Sequence, residues 1–74
     1  MDMNEYLNKH IGSEIQKARK EAGMTQEELA IKVGFSTRNA LANVESGAKA
    51  VSISKIAQIC EILNLETVFF LRKK

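Results

Sequence analysis

Arg38, Asn39 and Asn43 fall within one short helical segment. Asparagine is a poor interior helix residue because its amide competes for backbone groups, so two of them in so short a helix point to selection for something besides folding. These side chains offer hydrogen bonds and charge, not bond-making chemistry. No serine stands with a histidine and an acid in motif spacing, no glycine-rich phosphate loop follows a strand, and no carboxylate pair marks a pocket. Cys60 and His10 are the only residues of their kinds, so neither a metal cluster nor an intramolecular disulfide can be built from them. The expectation is a protein that is not an enzyme and uses no metal or cofactor.

Charge is uneven along the chain. The net charge of +2 is mild and would suit a nucleic-acid binder or almost any other protein. Between Phe35 and Ile59, however, Arg38, Lys49 and Lys55 stand against a single acid, Glu45. Glu21, Glu27 and Glu28 cluster earlier and are expected on the opposite side.

The elements that must position these residues are helical. Leu, Ile, Ala, Glu, Lys and Gln dominate a chain that has few aromatic residues and no proline, a helix-forming mixture. With 45% hydrophobic and 27% charged residues in 74, the composition fits one ordered domain spanning residues 1–74 with a modest core. No stretch approaches the roughly 20 apolar residues of a membrane span. The opening Met1-Asp2-Met3-Asn4-Glu5 lacks the basic and apolar regions of a signal peptide, so a cytoplasmic protein that does not enter membranes is expected.

Ile11, Ile15, Ala18 and Ala22 recur at helical spacing and predict a first amphipathic helix running to about Ala22, stopped by Gly23; His10 would lie near its start. Thr25 followed by Glu28 is a capping-box signature, and Leu29, Ala30 and Val33 give the second helix a narrow buried face before Gly34 ends it. Phe35 then acts as an apolar plug, Ser36 or Thr37 caps a third helix carrying Leu41 and Val44, and Ser46-Gly47 closes it. Ser52 caps a fourth helix with an apolar stripe of Ile53, Ile56, Ala57, Cys60 and Leu63, ending near Asn64. Cys60 is expected in the core as a small hydrophobe. The apolar tail from Glu66 to Leu71 suits a short fifth helix or a strand. The fold class expected is all-α, a compact bundle of about five short helices in which helices two and three form a helix-turn-helix.

Gly23-Met24-Thr25-Gln26-Glu27-Glu28-Leu29-Ala30, Val33-Gly34-Phe35-Ser36, Val44-Glu45-Ser46-Gly47 and Ser52-Ile53 with Ile56 to Leu65 together resemble the lambda-repressor-like (Cro/repressor, XRE-type) helix-turn-helix family, over roughly Ile11 to Leu65. The resemblance implies a sequence-specific regulator of transcription whose third helix, starting near Ser36 or Thr37, enters the major groove of double-stranded DNA while the second crosses the backbone. It places Gln26 at a phosphate, beside Thr25 in its structural capping role, and the two roles can hold together. It puts Thr37, Arg38, Asn39, Ala42 and Asn43 on the outward face, where arginine can grip guanine O6 and N7 and asparagine can grip adenine N6 and N7. Ser36 borders that face, and Lys49 becomes the loop phosphate contact. Arg19 and Glu45 correspond to a buried structural ion pair. One departure stands out: the ten residues between Gly34 and Glu45 are one more than the family pattern has, so either the turn is longer near Ser36-Thr37 or the third helix starts a residue late.

Ile62 falls away from the centre of the fourth-helix stripe, and with Val68, Phe69, Phe70 and Leu71 it makes more apolar surface than a small monomer readily covers. A homodimer is expected, binding a palindromic operator, since one short helix reads only a few base pairs; closure of the monomer core by the tail is the alternative. With no second domain expected, control would come from concentration, dimerisation or a partner, as in minimal phage repressors, plasmid regulators or restriction-modification controllers. The competing reading from another class is a protein-interaction adaptor or the antitoxin of a toxin–antitoxin pair.

Overall fold

The computed structural model describes residues 3–66, which fold into four helices and no strand: α1 (Met3–Glu21), α2 (Gln26–Val33), α3 (Arg38–Ser46) and α4 (Ile53–Ile62). The all-α class is as expected. The fifth element expected from Glu66 to Leu71 lies, beyond Glu66 itself, outside the described residues.

All four helices end in one way. A residue one or two positions beyond each lies in the left-handed region, Gly23 at φ 72°, Gly34 at 85°, Gly47 at 83° and Asn64 at 57°. After α2, the Phe35 N–H reaches back to Ala30 O (2.9 Å) and the Gly34 N–H to Ile31 O (3.1 Å). The same pair recurs after α1 (Met24 to Arg19 O, Gly23 to Lys20 O), α3 (Ala48 to Asn43 O, Gly47 to Val44 O) and α4 (Leu65 to Cys60 O, Asn64 to Glu61 O). These paired bonds satisfy carbonyls a helix end would leave bare, and glycine or asparagine supplies the left-handed turn at low steric cost.

The core is built from Ile15 of α1, Leu29, Ala30 and Val33 of α2, Leu41 and Val44 of α3, and Ile59 and Leu63 at the end of the chain's described part. Ile11, Ala18, Met24, Phe35, Val51 and Ile62 pack around it, partly buried. α4 presents a different face from the one expected. Ile59 is its central core residue at 1% exposure, whereas Ile53 is 68% exposed, Ala57 is exposed, and Ile56 and Cys60 are only half-buried. Apolar side chains surround much of this short helix, so periodicity alone does not select the inward face; packing against α2 does.

α1 starts well before Ile11, at Met3. His10 is therefore an exposed mid-helix residue, its ring stacked on that of Tyr6 with centroids 6.3 Å apart. This extension is mostly exposed, so it left no apolar period in the sequence, and it propagates from the half of α1 that the core anchors. Glu5 in the first turn suits the helix dipole and pairs with Lys9 at 4.0 Å. At the other end, Ala22 lies just past the helix and is exposed.

α1 crosses α3 very closely at Gly12, which is buried. A Cβ there would collide with the carbonyl oxygens of Val44 and Glu45, so only glycine lets the two backbones meet. This contact fixes where the C-terminal half of α3 lies.

Candidate nucleic-acid interface

The α2–α3 turn runs from Gly34 to Thr37. Gly34 turns the chain, Phe35 packs partly into the core, and Thr37 is extended (φ −145°, ψ 160°) and caps α3, its hydroxyl accepting from the Ala40 N–H at 3.2 Å. Arg38 is thus the first helical residue, and Ser36 stays exposed in the turn.

Counting from Arg38, Leu41 and Val44 point into the core, and Arg38, Asn39 and Asn43 are exposed. Their side chains make no hydrogen bond or ion pair among the described residues. Ala42 is half-buried at the edge of that face. Ser46 continues it, but its hydroxyl is taken up locally, donating to Asn43 O (3.1 Å) and accepting from the Ala48 N–H (3.3 Å). Lys49 is exposed in the loop that follows α3. No acid stands in the first turn of α3, so its N-terminal N–H groups and Arg38 present positive potential together.

Beneath this face lies a four-part polar cluster. Arg19 donates Nε to Glu45 Oε2 at 2.7 Å and Nη2 to Glu45 Oε1 at 3.2 Å, with both residues buried, 7% and 6% exposed. Its remaining nitrogen, Nη1, donates to Met24 O at 2.7 Å. Gln26 donates Nε2 to Glu45 Oε1 at 3.0 Å. A bidentate arginine–carboxylate pair is geometrically specific, so this cluster ties α1, the α1–α2 turn, the start of α2 and α3 into one frame. Among the described residues no buried side-chain nitrogen or oxygen lacks a partner. The bond from Gln26 to Glu45 had no signal in the sequence, because it joins residues on separate helices.

The N-terminus of α2 carries the expected capping box. The Glu28 N–H donates to Thr25 Oγ1 and the Thr25 N–H to Glu28 Oε1, each at 3.1 Å. The backbone hydrogen bond from Thr25, then the threonine hydroxyl, and more weakly Lys32 hold the Glu28 carboxyl below its ordinary value.

Two charges are not where the sequence pattern implied. Glu27 is not on the side opposite the basic residues: it lines a cleft of about 340 Å³ with Ala30, Ile31, Phe35, Ser36, Thr37 and Arg38, and a second with Arg19, Thr25, Gln26 and Arg38. The crossing of α2 and α3 brings their N-termini together, which a linear charge count does not register. Lys55, one of the three cations counted after Phe35, turns inward, its Nζ donating to Val33 O at 2.9 Å.

Among the described residues no helix is long and apolar enough to cross a membrane. No curated protein matches the chain. A family model described as helix-turn-helix matches residues 15–70, more than half of the chain, a range that includes α2, the turn after it and α3 with Arg38 at its start. The chain belongs to the helix-turn-helix family of XRE-type (Cro/C1) DNA-binding regulators.

Proposed function

We propose that the protein is a sequence-specific transcriptional regulator of the cytoplasm that binds a palindromic operator as a homodimer, with α3 in the major groove of each half-site. The observation that carries this reading is the outward face of α3, where Arg38, Asn39 and Asn43 are exposed and uncommitted beside a threonine-capped N-terminus. Arg38 reads guanine and the two asparagines read adenine, with Thr37 and the Ala42 methyl bordering the bases. Gln26, Ser36 and Lys49 lie on the phosphates and set register rather than sequence preference. Glu45 supports this role for Gln26: the bond to its amide fixes the side chain while leaving the amide oxygen and one N–H uncommitted.

Dimerisation runs through Ile62 and the apolar residues Val68, Phe69, Phe70 and Leu71, the last four outside the described residues. Half-sites then lie about one helical turn apart, roughly 34–36 Å.

The test is selection of bound sequences from random duplexes in moderate salt. Enrichment of a two-fold symmetric motif supports the reading. Weak, strongly salt-dependent binding with no enriched motif overturns it and favours an adaptor or antitoxin whose partner is a protein.

A further inference from the structure

Lys55 belongs to α4, yet its side chain serves the turn between α2 and α3. Its Nζ donates to the carbonyl of Val33, the last residue of α2, and lies 5.7 Å from the centroid of the Phe35 ring. One cation thus bears on Val33 and Phe35, the two residues that flank Gly34. A lysine at a helix C-terminus complements the dipole, and a cation over an aromatic face is attracted by the ring. The backbone of Lys55 is itself fixed, its N–H donating to the capping hydroxyl of Ser52 at 3.1 Å.

The location matters because α3 starts from this turn. Two residues beyond Phe35 the chain is extended at Thr37, and the next residue is Arg38. The far end of α3 is held by Gly12 and by the Arg19–Glu45 pair. Its near end follows directly from the turn and lies beside the start of α2, and α4 packs chiefly on α2.

We propose that Lys55 is a positioning residue for the recognition helix: it clamps Val33–Phe35 and so sets the pose in which Arg38 and Asn39 meet base edges, without touching DNA itself. This rests on the DNA-reading role given above. A lysine that gripped phosphate would release a counterion on binding and steepen the salt dependence; a clamp does not.

The experiment compares the full chain with Lys55→Met, which keeps an apolar stem over Phe35 but has no donor, and Lys55→Arg, which restores donor and cation. Without DNA, the amides of Gly34, Phe35 and Ala40 are expected to exchange about tenfold faster in Lys55→Met, the worth of one charge-assisted hydrogen bond, with α1 amides unchanged. Affinity for the selected operator falls about tenfold, affinity for random duplex changes by less than about twofold, and the salt slope is unchanged. Lys55→Arg recovers most of the loss. A slope shallower by about one charge makes Lys55 a phosphate contact and overturns the proposal. Unchanged amide exchange also overturns it, because the turn then holds without the clamp. If Lys55→Met does not fold, Lys55→Leu, which also lacks a donor, reads the same quantities. If the unmodified chain selects no operator, the DNA-reading role fails on its own, and the exchange comparison still decides the clamp.

Discussion

Arg38 and Glu45 sit seven positions apart on one helix and are expected to respond to substitution in opposite ways. Arg38 is exposed and makes no bond among the described residues, so Arg38→Ala should leave the melting temperature unchanged and weaken operator binding by about 1–3 kcal/mol, read by titration against the selected site. Unchanged operator affinity would remove it from the reading face. Glu45 accepts two bonds from Arg19 and one from Gln26 in a buried place. Glu45→Ala strands the guanidinium and is expected to destabilise the fold by about 3–5 kcal/mol in thermal or denaturant unfolding. A variant that melted like the parent and merely lost DNA binding would show the pair to be part of the interface instead. The family resemblance implied an outward Arg38 and a buried Glu45 paired with Arg19, and the two residues lie so on α3. It carried no sign that Glu45 also holds Gln26.

Helix boundaries and crossings set the next scale. At Gly12 a methyl group would meet the carbonyls of Val44 and Glu45, which are backbone and cannot swing aside. Gly12→Ala is expected to lower stability by about 1–3 kcal/mol through displacement of α1 from α3, although alanine favours helices; an unchanged or raised melting temperature would contradict the close crossing. The start of α2 gives a pH-dependent counterpart. The Thr25 backbone and hydroxyl hold Glu28 below its ordinary value of 4.5. A carboxyl depressed in the folded state contributes stability above its unfolded value, and that contribution is lost as pH falls through the folded one. Glu28→Gln keeps a capping acceptor but does not titrate. It should melt below the parent near neutral pH, and the gap should close as pH drops below 4.5; a constant gap would mean the charge on Glu28 adds nothing to the cap.

For the whole molecule, the proposed homodimer would decide how the fold is used, since each α3 offers one outward face for reading. Phe70→Asp introduces a charge into the proposed contact. It is expected to halve the sedimenting mass and to abolish binding to the two-fold site, with the α1–α4 helix signal retained; a variant still dimeric would move the interface elsewhere. The charge arrangement also belongs to this scale, because Glu27 shares two clefts with Arg38 though the two lie apart in the chain. That neighbourhood arises from the angle between α2 and α3 and is invisible to a tally of charges along the sequence.

The choice between Ser36 and Thr37 as the cap of α3 was not legible in the sequence by itself, but helix type, the glycine and asparagine stops, the other caps and the family were. The caps and stops are made by residues within about six positions of one another: Thr25 with Glu28, Gly34 and Phe35 with Ala30 and Ile31. Contiguous residues encode such contacts directly. Only the tertiary structure decided that α4 turns Ile59 inward and Ile53 outward, that α1 extends back to Met3, that Gly12 is the α1–α3 contact, and that Lys55 holds the turn ahead of Arg38. Those outcomes depend on which distant segments meet, and close packing rather than local propensity selects among the faces that an apolar helix offers.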